Sequence, residues 1–236
     1  MEKKIIVILL VFAFCVPSFG LSPMGPPKAG LKQGQFGLGL NYTIGEMDLE
    51  FSASGVSSET GEVESDMLFV DLGYGIMDQW EGYVRLGIAK YEIEEWDGGN
   101  EFAYGFGTKV TISEQDAITW GGLFQMTWVE GDDNIFGFDV DVDAYEIQLA
   151  IGPTYEADGM RIYGGPFLHL LDGDGKASGI VPGWGPASAT FDMEQESVFG
   201  GYVGAQFDVA ENSCVKVEAQ FTGDAWAIMG GIGWGF

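Results

Sequence analysis

Several residue types that support common functions are scarce in this chain of 236 residues. Lys and Arg number 10 against 36 Asp and Glu, a formal net charge of −26, so the basic surface that nucleic-acid binding requires is missing. Cysteine occurs twice, at Cys15 and Cys214, and no disulfide framework is expected. A single histidine, His169, leaves few options for metal or acid–base chemistry. After residue 20, no apolar run is long enough to span a membrane as a helix.

The N-terminus has the pattern of a secretory signal peptide. Two lysines precede a continuous apolar run over 5–16, and small residues at Ser18 and Gly20 fit a cleavage site before Leu21. The sequence therefore predicts a signal peptide over 1–20.

Two alternatives compete with a cleaved signal peptide. A membrane anchor needs about 20 apolar residues, and this run is shorter. Lipidation of Cys15 would need a small residue just before it, where the chain has Phe14. Cleavage would leave Cys214 as the only cysteine, and the residues over 21–32 are expected to form a periplasmic N-terminal segment.

The remaining chain alternates between large apolar residues and small or polar ones, which is the pattern of β-strands. In one segment Leu68, Val70 and Leu72 alternate with Phe69, Asp71 and Gly73. Each alternating segment is long enough for a tilted strand to cross a bilayer. Ten such segments occur, over 33–44, 67–77, 80–93, 102–112, 118–129, 144–155, 161–171, 196–208, 214–222 and 225–236.

The composition of the two strand faces predicts which one meets lipid. The second face is mostly Gly, Ala, Thr and Gln, which makes a poor solvated exterior but fits inside a narrow barrel. The large apolar face then points to lipid. The sequence therefore predicts an all-β fold, a single antiparallel transmembrane β-barrel over 33–236 with ten strands, or eight as the alternative. A soluble ligand-carrying barrel or a sandwich is the competing interpretation.

The connections between segments alternate in length. Short turns belong to the periplasmic side of such a barrel and long loops to the outside. The short turns lie near 77–79, 113–117, 156–160 and 210–213, and the long loops at 45–66, 94–101, 130–143 and 172–195, with a tight fifth one at 223–224. The long loops are acidic, so the sequence predicts a negatively charged outer rim.

The C-terminus carries the most specific motif. Its last residues place Ile232, Trp234 and Phe236 on one strand face, which resembles the sorting signal that outer-membrane barrels present to their assembly machinery. The sequence over roughly 33–236 resembles small bacterial outer-membrane β-barrel proteins, the eight- to ten-stranded group with opacity- and adhesin-like members. The resemblance implies localisation in the outer membrane, contact with the lipid bilayer and lipopolysaccharide, and insertion by the assembly machinery. It says little about activity, because such barrels host many functions.

The inward strand faces carry few charges, and isolated charges there would be costly, so pairing is expected. Counting from the turn at Asp78 places Asp71 directly opposite Arg85, and a similar count places Asp208 near Lys216. We interpret this charge layer as a structural filling of the lumen, with a narrow pathway for small solutes or ions as the alternative. Its predicted members are Asp71, Arg85, Lys109, Asp208, Lys216 and Glu218, with Glu146 on the same face.

The sequence gives little sign of catalysis. His169 is expected near the outer rim, where related outer-membrane proteases and lipid A deacylases hold a histidine. The deacylases would need a serine two residues later, where the chain has Leu171, and the further acids of the proteases are not evident. We therefore expect no enzyme, no catalytic residue and no cofactor.

Metal binding is at most weak. Closely spaced carboxylates suit a hard cation such as Ca²⁺, but their spacing matches no dedicated metal loop. The weak candidates are Asp132, Asp133, Asp139, Asp141 and Asp143. The sequence therefore predicts an outer-membrane barrel with a structural or surface-interaction role, with a narrow channel as the alternative.

Overall fold

The fold is known from a computed structural model, which describes residues 20–53, 58–93, 96–135, 138–181 and 185–236. The predicted signal peptide lies outside the described residues, except for Gly20. Within the described ranges, no helix is long and apolar enough to cross a membrane. The strands are β1 (Phe36–Ala53), β2 (Glu59–Met77), β3 (Trp80–Ile93), β4 (Trp96–Gln115), β5 (Ile118–Ile135), β6 (Phe138–Ala157), β7 (Met160–Val181), β8 (Gly185–Glu194), β9 (Phe199–Ala210), β10 (Ser213–Phe221) and β11 (Ala225–Gly235).

Ten of these strands form a closed antiparallel ring, in the order β1 to β7 and then β9, β10 and β11. The last strand closes on the first, with a register that runs from Gly37 opposite Gly235 to Met47 opposite Ala225. The predicted ten-stranded barrel is therefore confirmed at the level where it crosses the membrane. Closure leaves no free strand edge, as a sheet in lipid requires, since every backbone group there must find an internal partner.

The eleventh strand, β8, changes the strand count along the barrel axis. The first part of β7 pairs with β9 over Met160–Leu168, whereas its last part pairs with β8 from Asp172 onward. At its other edge, β8 pairs with the end of β1, where Phe51 lies opposite Met193. The barrel therefore narrows from ten strands to the eight strands β1 to β8. We call this narrower end the outer barrel.

The structure corrects the predicted long loops. Most of 45–66, 130–143 and 172–195 is paired strand, as is the described part of 94–101, so the hairpins are much longer than the sequence segments suggested. The alternation continues past the membrane level, but its polarity is reversed. On β1, Ile44 faces outward and is 40% exposed, whereas Met47 faces inward and is 1% exposed. Charged residues outside and apolar residues inside make the outer barrel resemble a water-soluble barrel.

The two parts of the barrel thus have opposite interiors. The membrane part is apolar outside and polar inside, whereas the outer barrel encloses an apolar core. Burial of one such side chain contributes about 1.5–3 kcal/mol, so this core can hold the outer hairpins together without lipid. Its members include Met47, Leu49, Phe51, Val63, Val140, Val142, Ala177, Phe191 and Met193.

Aromatic residues mark the outer boundary of the apolar belt. The Tyr42 hydroxyl donates to Asp66 (3.0 Å), and the Tyr104 hydroxyl donates to Glu130 (2.6 Å). A ring that faces lipid with a hydroxyl that meets polar groups is typical of a membrane interface.

Two prolines coincide with an irregularity in the barrel wall. Pro153 in β6 and Pro166 in β7 lack an amide donor, and the β6–β7 register is interrupted between the pair Ala150–Phe167 and the pair Thr154–Tyr163.

Candidate functional site

The lumen of the membrane part is filled by the chain's own N-terminal segment. Residues 20–31, here called the plug, run from the start of β1 into the barrel, and Leu21, Ser22 and Met24 are buried there. The predicted periplasmic placement of 21–32 is therefore wrong for most of this segment. The plug has no strand or helix partners of its own, so its backbone amides need acceptors from the barrel wall.

Three glutamates supply those acceptors. Glu81 accepts hydrogen bonds from the backbone amides of Gly30 (2.7 Å) and Leu31 (3.0 Å). Glu218 accepts from the amides of Met24 (3.1 Å) and Gly25 (2.8 Å). These bonds are charge-assisted and stronger than neutral ones.

The third glutamate, Glu146, holds Ser22, near the inner end of the described plug. It accepts from the Ser22 amide (3.0 Å) and from the Ser22 hydroxyl. The plug also accepts hydrogen bonds from the wall. Arg85 donates to the Pro23 carbonyl (2.9 Å), and Gln220 donates to the Ser22 carbonyl (2.9 Å). The plug is thus held through its backbone at three levels of the lumen.

Glycines on the inner face give the plug its space. A Cβ on Gly121 would lie 2.6 Å from the Pro27 carbonyl oxygen and 2.7 Å from the Lys28 Cα. A Cβ on Gly75 would lie 3.1 Å from the Leu31 carbonyl oxygen and would collide with the carbonyl of Lys32, the residue that follows the plug. The obstacle in each case is backbone, which cannot move aside as a side chain can, so these positions must lack a side chain.

The predicted Asp71–Arg85 pair is confirmed. The two residues lie opposite each other in the β2–β3 register, and Arg85 Nε is 3.2 Å from Asp71 Oδ1. Asn41 donates to the second oxygen of Asp71 (2.6 Å). The guanidinium of Arg85 also stands over the rings of Phe69 (5.1 Å) and Tyr83 (5.4 Å). Its buried charge is thus balanced by a carboxylate and two aromatic faces.

The predicted Asp208–Lys216 pair is wrong. A bulge between Ser213 and Cys214 shifts the β9–β10 register, so Lys216 lies opposite Gln206. Asp208 instead accepts from both terminal nitrogens of Arg161 across the β7–β9 pair, at 2.9 and 3.3 Å. The remaining predicted residues, Lys109 and Lys216, line the lumen beside the plug.

The sequence interpretation missed Glu81 as a luminal residue. It shares its strand face with Arg85, four residues later, so strand parity alone could have identified it. No parity argument could have identified its partner, because the plug amides approach from a distant segment.

His169 is a buried luminal residue with both ring nitrogens engaged. Its Nε2 lies 2.9 Å from Glu146, and its Nδ1 contacts the side-chain oxygen of Gln195. The Gln195 amide in turn donates to the Ser197 carbonyl (2.7 Å) and to Asp224 (3.1 Å). This network ties the β8–β9 connection to the lumen, and it gives His169 a structural environment.

The proposed cation ligands lie on strands rather than in a loop. Asp139, Asp141 and Asp143 alternate along β6 on its outward face, and Asp132 of β5 lies opposite Asp141. Alternate residues on a strand are about 6.6 Å apart, too far to surround one ion. In the described ranges, no group of three or more His, Cys, Asp or Glu residues is arranged to hold a metal. The side chain of Asp133 lies outside the described residues.

The C-terminal aromatic residues complete the closing strand pair. Trp234 lies opposite Leu38, and the backbones of Phe236 and Phe36 exchange two hydrogen bonds of 3.2 and 2.8 Å. The Phe236 side chain is 71% exposed. Recognition of these residues by the assembly machinery stays a prediction.

A cavity of about 440 Å³ opens between the plug and the wall at the short-turn end of the barrel, the predicted periplasmic side. The plug bounds the cavity within the membrane part, and the apolar core fills the outer barrel beyond it.

Comparison with known proteins supports the fold and gives no family. No family model matches the chain, and no curated protein matches its sequence. Solved structures of bacterial outer-membrane proteins are similar in fold, including the following three. The translocator domain of the autotransporter NalP from Neisseria meningitidis is 11% identical, with a TM-score of 0.50, over 87% of this chain and 89% of that one. The outer membrane protein OprG from Pseudomonas aeruginosa is 14% identical, with a TM-score of 0.51, over 88% and 98%.

The third is the outer membrane protease OmpT from Escherichia coli, which is 9% identical, with a TM-score of 0.51, over 92% of this chain and 99% of that one. At such low identity, these likenesses establish the fold alone. The chain has the fold of a bacterial outer-membrane β-barrel, as predicted, and its apolar belt is the surface that such a barrel sets in the outer membrane.

Proposed function

We propose that this outer-membrane barrel is a non-conducting, non-enzymatic protein with a structural or surface-interaction role. The observation that carries the proposal is the double filling of its lumen. The polar plug occupies the membrane part, and the apolar core occupies the outer barrel. A pathway for water and ions would have to displace both, and the second displacement would expose many buried apolar side chains.

The outer barrel is the part suited to interaction. It places alternating carboxylates outside a self-supporting core, for example Asp48, Glu62 and Glu64 on β1 and β2. A rigid acidic surface favours cationic partners and repels anionic ones. We expect its contacts to include lipopolysaccharide at the membrane boundary and loosely held divalent cations, which would bridge carboxylates to lipid phosphates.

The non-enzymatic interpretation rests on the burial of His169. A general base must reach its substrate within hydrogen-bond distance, whereas both nitrogens of His169 are engaged by Glu146 and Gln195. A protease among the structural neighbours shows that this fold can support catalysis, so the argument depends on this chain's own residues.

Planar-bilayer conductance tests the proposal against the narrow-channel alternative. We expect the refolded full chain to show no stable conductance steps. Deletion of 21–31 should also leave the barrel closed, because the apolar core remains. Steady unitary conductance from the unmodified chain would overturn the proposal and establish the channel.

A further inference from the structure

The periplasmic cavity contains two lysines that no carboxylate neutralises by contact. Five cationic residues line the cavity, and three of them form ion pairs: Lys28 with Glu156, Arg85 with Asp71 and Arg161 with Asp208. In the part of the chain that the structure describes, neither Lys109 nor Lys216 forms an ion pair. The Tyr83 ring lies 5.7 Å from Lys109 Nζ and offsets part of the cost of burying this charge. Ammonium groups inside a barrel stay costly without an anionic partner, and no described carboxylate forms an ion pair with either lysine.

The two ammonium groups lie side by side. A Cβ built on Gly25 would be 3.1 Å from Lys109 Nζ and 3.6 Å from Lys216 Nζ. The two nitrogens are therefore less than about 7 Å apart, a separation at which both can donate to one oxyanion. Gly25 itself has a φ of +73°, a conformation that favours glycine, and the missing side chain keeps this space open.

Nearby carboxylates are already engaged elsewhere. Glu81 and Glu218 accept the amides of the plug, and Asp71 accepts from Asn41 and Arg85. Glu81 lies directly opposite Lys109 in the β3–β4 register, and Glu218 lies two residues from Lys216. Both temper the positive potential of the lysines without forming an ion pair with them.

Arg85 supplies an independent sign of an unfilled site. It lines the same cavity and is 1% exposed, yet its Nη1 atom has no hydrogen-bond partner among the described residues. A buried guanidinium nitrogen without an acceptor is unusual, since leaving a buried donor unpaired is expensive. Arg85 and Lys109 stand over the same Tyr83 ring, at 5.4 and 5.7 Å from its centroid. An anion beside the lysines would therefore lie in the part of the cavity that Arg85 also lines.

We propose that Lys109, Lys216 and Arg85 form a binding site for a small oxyanion that enters from the periplasm. The shared chemistry is that of phosphate and of short carboxylates, whose oxygens accept several charge-assisted hydrogen bonds at once. The cavity of about 440 Å³ can hold such a molecule. The site does not require conduction, because the anion enters and leaves at the same end.

Titration calorimetry on the full refolded chain, with inorganic phosphate and with succinate as probes, tests the site. We expect saturable binding of at least one probe with a stoichiometry of one. Lys109→Gln and Lys216→Gln should each weaken it about tenfold or more, the loss of one charge-assisted hydrogen bond. Lys176→Gln is the matched control, because it removes one charge on the exposed face of the outer barrel, and it should leave the affinity unchanged.

The relative affinities of the probes distinguish a phosphate site from a carboxylate site. No saturable binding to either probe would overturn the proposal, and so would equal effects of all three lysine variants. Heat-modifiable gel mobility reports whether each variant is folded.

Cys214 provides a second measurement that needs no lysine variant. Its side chain lines the same cavity. We expect phosphate or succinate, whichever binds, to slow modification of Cys214 by a thiol reagent at least threefold in the unmodified chain, at constant ionic strength. Modification that is insensitive to both anions would contradict the proposal. A barrel that conducts would leave both results intact, so failure of the proposed function and failure of this site are distinguishable.

Discussion

Removal of the Glu218 carboxylate should release the middle of the plug. In Glu218→Ala the amides of Met24 and Gly25, now at 3.1 and 2.8 Å from that carboxylate, lose their acceptor. A hydrogen bond to a charged group contributes about 1.5–3 kcal/mol. Two such bonds contribute about 3–6 kcal/mol, and each 1.4 kcal/mol corresponds to a factor of ten. Amide exchange of this segment should therefore accelerate about 10²- to 10⁴-fold.

Hydrogen–deuterium exchange with mass spectrometry, on peptides from 21–31 of the refolded barrel, measures this change. Glu218→Gln keeps one acceptor oxygen, so it should lose about half of the stabilisation in kcal/mol. Glu211→Gln, on the exposed β9–β10 turn, removes a charge without touching the plug and serves as the matched control. Unchanged exchange in Glu218→Ala would refute the claim that wall carboxylates hold the plug.

Three further perturbations test separate parts of the structure. Gly121→Leu should expel the plug and expose it to protease, because a side chain there meets the plug backbone at Pro27 and Lys28. Gly230→Leu should leave the plug in place, because a Cβ at Gly230 meets nothing within 4 Å. Deletion of Phe236 should reduce the folded fraction in the outer membrane far more than refolding in detergent, and equal losses in both assays would remove the sorting-signal interpretation. Repulsion, chiefly by Glu46, raises the pKa of Glu62. Protonation is therefore favoured in the folded state, and in low salt the outer barrel should resist protease better at about pH 5 than at about pH 7. Glu62→Gln should reduce that difference, and an unchanged difference would contradict the assigned cause.

Most of the fold was predicted from the alternation of large apolar residues with small or polar ones along each strand. Alternation is a local property, so the sequence alone predicted the membrane strands, their inward faces and the contact between Asp71 and Arg85. The predicted β9–β10 register was two residues off, and the bulge between Ser213 and Cys214 accounts for one of them. The partner of Asp208 is Arg161 on β7, and counting from the β9–β10 turn considers only β10.

Two features depended on information that local patterns lack. In the outer barrel the strands still alternate, but the charged residues face outward and the apolar ones inward. The segment that contains Glu46, Asp48 and Glu50 was therefore predicted to be a loop, although it is part of β1. Glycine, proline and scattered apolar residues in the plug give no periodicity. Its burial is determined by distant acceptors such as Glu81 and Glu218.

The central claim of this account is that continuous strands reverse their polarity at the outer membrane boundary around a closed interior. A nitroxide scan of β1 tests it most directly, with single cysteines placed from 36 to 53 in a Cys214→Ser background in lipid vesicles. Nitroxides at even positions from 36 to 44 should be accessible to oxygen dissolved in the lipid. Nitroxides at even positions from 46 to 52 should be accessible to a water-soluble nickel complex. Odd positions from 47 to 51 should be shielded from both. Access of the nickel complex to those odd positions would contradict the closed apolar core and indicate a mobile loop or an open pore.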